Sequence, residues 1–172
     1  SKTTIWRSIL DLMSESMSPI LQPLMVAGML AGVLSILSLT GIISTESSTY
    51  TIIDSLRNAI FFFLPVFMAM SCAKKLNANP YLAVALAVTL LSTGINGVEG
   101  LDFFGIPLLT ITYSNSFFPI ILAVWLMGYV DQFLSKIIPQ SITYFFKPVL
   151  VLLICLPVTL LVFGPMGTWL GD

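Results

Sequence analysis

Chemistry needs a nucleophile, a base or a ligand set at workable spacing, and this chain of 172 residues holds few of them. It contains no histidine, which removes the commonest metal ligand and general base near neutral pH. The two cysteines, Cys72 and Cys155, lie far apart inside apolar runs and read as small packed hydrophobes rather than thiolates. Glu46, Asp54, Glu99 and Asp102 belong to connecting segments or helix ends, where a solvated carboxylate is the ordinary role. No nucleophile–base couple, pair of catalytic carboxylates, glycine-rich phosphate cradle or metal-ligand spacing is found. Catalysis, a metal and a cofactor are therefore not expected of this stretch. Four polar residues stand out instead. Gln22 and Asn58 lie within or beside apolar runs, and Asn96 and Glu99 follow the third of those runs. They are candidates for lining a substrate path, because a buried polar group needs partners and in a membrane often faces a route for polar solutes. Helix–helix hydrogen bonding is the commoner use of such residues and stays open.

The elements that must position them are membrane helices. Hydrophobic residues make up 57% of the chain and charged residues 9%, with a mean hydropathy of +1.00. Soluble domains carry about 25% charged residues, so this inventory does not cover a water-facing surface. A net charge of −1 gives no basic patch for nucleic acid. A bilayer core of about 30 Å takes about 20 helical residues. Five apolar stretches compete for that role, at residues 20–39, 56–73, 80–95, 117–130 and 149–163. Several are short, so tilt or local thinning has to help them. The third is the least secure and reads equally as a half-span turning back inside protein. The expected class is an all-α integral membrane protein of about five transmembrane helices.

The basic residues set an orientation. Lys2 and Arg7 precede the first span, Lys74 and Lys75 follow the second, and Lys136 and Lys147 separate the fourth and fifth. Segments 40–55 and 92–116 contain neither Lys nor Arg. The positive-inside rule then puts the N-terminus in the cytoplasm, in a multi-pass arrangement. Arg57 is the exception, and its spacing from Asp54 lets one helical face pair them. Residues 1–18 place Ile5, Trp6, Ile9, Leu10, Met13 and Met17 at three- and four-residue spacing, with Lys2, Arg7, Asp11 and Glu15 among them. That is the pattern of an interfacial amphipathic helix, too polar for the apolar core of a cleavable signal; here and at residues 131–146 a helix packed on other protein fits the pattern as well. Residues 131–146 read as a second surface helix, broken at Pro139. Two apolar runs meeting at Gly105 predict a short extracellular β-like hairpin. Gly28 and Gly32 form a GxxxG step, which predicts close packing of the first span on a neighbour or across a dimer. Pro23, Pro65 and Pro157 are expected to kink the first, second and fifth spans.

Physics alone reaches a polytopic membrane domain without its own catalytic machinery. Beyond that, an ordered set of segments resembles the membrane (IIC) domain of bacterial phosphotransferase system sugar permeases, in the glucose superfamily and its β-glucoside/sucrose/trehalose branch. Ile9-Leu10-Asp11-Leu12, Pro19-Ile20-Leu21 and Ala27-Gly28-Met29-Leu30 resemble that family's opening. Phe61-Phe62-Phe63-Leu64-Pro65, running to Ala73-Lys74-Lys75 and Asn79-Pro80, resembles its second-span pattern. Phe104-Gly105-Ile106-Pro107, Tyr113-Ser114-Asn115-Ser116 and Pro119-Ile120-Ile121-Leu122-Ala123-Val124-Trp125 are the strongest match, and Gly164-Pro165-Met166-Gly167-Thr168-Trp169-Leu170-Gly171 fits the end of the fifth span. A departure falls at Gly94-Ile95-Asn96-Gly97, where the family often carries a His-Pro pair.

The resemblance implies group translocation across the bacterial inner membrane, the sugar receiving phosphate from a IIB cysteine supplied through IIA. It implies about ten spans in the family, with sugar-contacting Glu and His in the second half. Residues 1–172 are then expected to be the N-terminal, scaffold and homodimer-forming half of a IIC domain. The expected partners are the remaining half, the IIB and IIA domains, a glucoside or disaccharide and the lipid bilayer. The competing class is a non-transporting membrane scaffold or assembly protein.

Overall fold

A computed structural model describes residues 2–171. Among the described residues the regular structure is helical apart from one hairpin of two two-residue strands. In chain order it runs α1 (Lys2–Met17), α2 (Leu21–Leu39), α3 (Ser48–Phe62), α4 (Leu64–Leu76), α5 (Pro80–Leu91), β1 (Asp102–Phe103), β2 (Ile106–Pro107), α6 (Phe118–Ile137), α7 (Thr143–Val158) and α8 (Gly164–Gly171). A single 3₁₀ turn, Ser18–Ile20, joins α1 to α2, and a π-helical turn, Thr159–Phe163, joins α7 to α8.

Local chemistry explains the boundaries. The Ser47 side chain caps α3 by accepting from the Tyr50 N–H at 3.2 Å. Asn79 caps α5, its Oδ1 accepting from Tyr81 N at 3.0 Å and Leu82 N at 3.3 Å, with Pro80 pre-set for the first helical turn. α4 ends at Asn77 in the left-handed region (φ 56°), with Lys74 and Lys75 in its last turn where the helix dipole favours cations. Between α3 and α4 the chain bends by 47° at Phe63. Pro65 is the cause, since it lacks an N–H and its ring crowds the carbonyl four residues back. The kink expected at Pro65 is present, and it divides the second apolar stretch into two helices. Pro157 precedes the π turn, while Pro23 sits in the first turn of α2, where proline is tolerated.

The core lies where α4, α5, α6 and α7 meet. Met68 and Cys72 of α4, Leu86 and Leu90 of α5, Ile120, Val124 and Met127 of α6, and Val151 and Cys155 of α7 are closed off from the surroundings. α1 packs on α4, where the Cys72 thiol donates to a fully buried Ser16 hydroxyl at 3.4 Å. α2 and α3 pack mainly on each other. Only Ala27 and Leu34 of α2 and Ile60 of α3 are buried, although both helices are rich in apolar residues. In water that would be a liability, whereas lipid tails are as apolar as leucine.

Three helical stretches are long and apolar enough to cross a membrane: Lys2–Leu39, Phe118–Ile137 and Thr143–Trp169. The bent pair α3–α4 passes the same test when taken together, as a broken span or a re-entrant pair. α5, with 12 residues, rises about 18 Å and is short of the bilayer core by itself. The 38 residues of Lys2–Leu39 would run about 57 Å, nearly twice that core, so one end has to leave the hydrocarbon. One expectation is corrected. Residues 131–146 are not a separate surface helix: the first part is the end of α6, and α7 already begins at Thr143. The polar residues there mark where two long helices emerge, and Lys147 Nζ ties them together, 3.3 Å from Asp131 Oδ1 and 3.0 Å from Ser135 Oγ. The hairpin at Gly105 is present as expected, pairing Asp102 with Pro107 and Phe103 with Ile106. Phe104 (φ 51°) and Gly105 (φ 86°) form its tip, the double positive-φ geometry of tight hairpins, and Asp102 Oδ2 accepts from Gly105 N at 2.9 Å.

Candidate functional site

The polar candidates are not gathered into one pocket. Gln22 is exposed in the first turn of α2. Asn58 is exposed on α3 and donates through Nδ2 to Asp54 Oδ2 at 3.1 Å. The Asp54–Arg57 pair forms as the spacing requires, with Nε at 2.9 Å and Nη2 at 2.6 Å from Asp54 Oδ1. These three residues make a small charged ladder on one face of α3. Glu99 is exposed in the segment before the hairpin.

Asn96 stands apart from the other three. Its Oδ1 accepts from Tyr113 N at 2.6 Å and Ser114 N at 3.2 Å, while its Nδ2 donates to Ser114 Oγ at 3.5 Å. Gly97 N donates to Ile111 O at 2.8 Å alongside. Residues 94–97 and 111–114 are thereby pinned together as one ordered cap, and the Ser116 hydroxyl adds a bond to Tyr113 O at 2.6 Å. Asn115 carries the cap to the helix break. It adopts a positive φ of 63°, and its N–H donates to Phe62 O at 3.4 Å. At the break Val66 N turns to Phe63 O instead of the carbonyl four residues back, so Phe62 O needs another partner. In a membrane such a carbonyl is tolerated only where something satisfies it.

The π turn completes this locus. Tyr113 is 3% exposed, and burial pushes its phenol up to about 12, so it stays a neutral hydroxyl at physiological pH. It lies against Gly164, the residue where the π turn passes into α8. A side chain there would overlap the Tyr113 hydroxyl and come within 2.9 Å of Ile111 Cδ1. Gly167 allows the next approach, since a Cβ at that position would stand 3.0 Å from the Pro119 ring of α6. The π turn holds a buried Thr159 whose Oγ1 donates to Cys155 O at 2.7 Å. Helix break, ordered cap and π turn therefore meet, and interrupted helices with re-satisfied backbone are where membrane transporters place polar ligands.

Sequence reasoning missed Tyr113, Asn115, Gly164 and Gly167 as a structural unit. All four were visible within segments that carried the family resemblance, but nothing in their spacing showed that residue 113 meets residue 164. Gly28 and Gly32, by contrast, have open space: a Cβ at either would meet nothing within 4 Å. Among the described residues no group of three or more His, Cys, Asp or Glu side chains is placed to hold a metal. Cys72 and Cys155 are free and buried.

Fold and site define a polytopic α-helical membrane domain with broken helices and an ordered cap. Residues 14–172 match the family described as phosphotransferase system, EIIC, and the chain belongs to that family. It is similar to the β-glucoside-specific EIIBCA component of Halalkalibacterium halodurans, at 30% identity over 98% of this chain and 29% of that protein. The arbutin-, cellobiose-, and salicin-specific EIIBC component of Escherichia coli is 31% identical, over 98% of this chain and 36% of that protein. The sucrose-specific EIIBC component of Klebsiella pneumoniae is 30% identical, over 99% and 39%. The chain thus spans between a quarter and two fifths of the length of these relatives. No solved structure matches it.

Proposed function

We propose that this chain is the N-terminal scaffold part of a phosphotransferase system sugar permease, which imports a glucoside or disaccharide and phosphorylates it during uptake. The observation that carries this reading is the family match over residues 14–172, accompanied by relatives named for β-glucosides and sucrose. Those relatives are named as EIIBC or EIIBCA components, so the partners are the remaining part of the membrane domain and the IIB and IIA units. Phosphate would come from IIB, consistent with the buried positions of Cys72 and Cys155 here.

Five crossings in the bacterial inner membrane, with the N-terminus cytoplasmic, account for the charge pattern. Lys74 and Lys75 end α4 and Lys136 lies in the last turn of α6, so both ends belong on one side. The chain between them must then leave that side and return, and α5 with residues 92–97 is the segment available for the outward leg. α1, which carries Lys2, Arg7, Asp11 and Glu15, packs on α4, and its Thr4, Ser8 and Leu12 share a groove with Ile121 and Trp125 of α6. Asn96 serves the path by positioning the cap, and Gln22, Asn58 and Glu99 are open to whatever the remaining half places opposite them.

The test uses membrane vesicles carrying the chain, with and without the remainder of a family domain, supplied with phosphoenolpyruvate and the soluble phosphotransferase proteins. Phosphorylation of salicin, sucrose or trehalose is expected only when both parts are present. Sugar phosphorylation by the chain alone, or an inserted and complete domain active on none of the panel, would overturn the reading.

A further inference from the structure

A groove of 420 Å³ opens beside α4, away from the cap and the π turn. Ile20 of the 3₁₀ turn, Val66, Phe67 and Met70 of α4 and Val84 of α5 line its length, with Ser71 the one hydroxyl among them. Lys74 and Lys75 line it as well, at the C-terminal end of α4. From Val66 to Lys74 the helix rises about 12 Å, so an apolar trough more than two turns long runs into a pair of ammonium groups. Lys75 has a distant and exposed partner, Glu15 Oε2 at 3.9 Å. Pairs of that kind are worth little. Lys74 makes no ion pair among the described residues, and the locus keeps an excess positive charge.

We propose that this groove seats one acyl chain of an anionic phospholipid, with the phosphate held at Lys74 and Lys75. Charge complementarity selects the occupant. A trough open to the bilayer fills with hydrocarbon, and the two lysines stand at the helix end, where headgroup phosphates lie. A sugar finds a single hydroxyl along the trough and little to bind. A protein segment would need to bring its own carboxylate opposite Lys74. The proposal depends on membrane insertion alone and is independent of which sugar is transported.

Native mass spectrometry of the delipidated 172-residue chain, offered equal amounts of phosphatidylglycerol and phosphatidylcholine with matched acyl chains, tests it. One phosphatidylglycerol is expected to be retained preferentially, by about five-fold for each lysine at the surface. Lys74→Gln should cut the preference about five-fold, and Lys74→Gln with Lys75→Gln should abolish it while phosphatidylcholine still binds. Met70→Trp, or the milder Val66→Phe if the first misfolds, should fill the trough and lower retention of both lipids. Equal retention of the two lipids by the parent, a preference surviving in the double glutamine variant, or unchanged retention in the filled variants would each overturn the proposal. So would loss of the bound lipid when the remaining part of the membrane domain is added, which would assign the groove to protein.

Discussion

Asn96 commits both polar atoms of its carboxamide to the cap. A side chain already bonded to two backbone amides is a positioning residue, because contacting a solute would mean giving up bonds that hold residues 111–114 in place. Gly164 is the complementary feature, an absence of side chain that lets Tyr113 lie against the π turn. Gly164→Ala is expected to destabilise the chain by about 1–3 kcal/mol, the usual penalty for overpacking. That exceeds the gain of up to about 1 kcal/mol that alanine brings to a helix interior. Tyr113→Phe, which removes the overlapping hydroxyl, should recover a large part of the loss. Thermal unfolding in detergent, run as a double-mutant cycle, measures this. Additive losses in the double variant would mean that the two residues do not meet as described.

At the scale of elements, proline and asparagine decide more than hydrophobicity does. Pro65 turns one apolar stretch into α3 and α4, and the carbonyl released at Phe62 recruits Asn115 from the cap. The ends of α4 and α6 carry the lysines, and the exposed Trp125 and Tyr129 of α6 stack edge to face with centroids 5.0 Å apart, about two to three turns before Lys136. A Lys or Arg at mid-bilayer costs about 2.5–3.5 kcal/mol on insertion scales, which keeps these ends out of the hydrocarbon. In a cysteine-free background, a cysteine at position 102 should react with an impermeant maleimide added to intact cells, and one at position 75 should react only after permeabilisation. The reverse pattern would invert the topology.

For the whole molecule the unequal burial of its two parts matters most. The α4–α7 body has a closed core, whereas the α2–α3 hairpin packs chiefly on itself and leaves Met25, Met29, Val33 and Ile36 exposed. Gly28 and Gly32 lie among them with open space around both, so the close packing expected of a GxxxG step has no partner among the described residues. A second copy, or the remaining part of the membrane domain, is the partner such a face is suited to, and steric fit rather than burial from water would drive it. Gly28→Leu and Gly32→Leu should therefore leave the thermal unfolding of the chain unchanged and weaken self-association in detergent at least several-fold. Crosslinking or light scattering across a dilution series reads the effect. Leucine variants that associate like the parent would exclude a dimer seam there.

What the sequence determined by itself is what depends on composition and near neighbours. The membrane class follows from 57% hydrophobic and 9% charged residues. The Asp54–Arg57 pair, the hairpin at Gly105 and the kink at Pro65 follow from contacts within a few residues, and all were legible. The family was legible too, because its marks are short ordered segments. Tertiary structure decided the rest. A hydrophobic stretch states that a helix is apolar without saying which face meets protein and which meets lipid, since both neighbours are equally apolar. That is why the glycines with a tight contact, Gly164 and Gly167, could not be told from Gly28 and Gly32, which have none among the described residues. It is also why the surface helix read at residues 131–146 became the ends of two longer ones. The meeting of Asn96, Tyr113, Asn115 and Gly164 joins residues as far apart as 96 and 164, and only the packing of α6, α7 and the π turn brings them together.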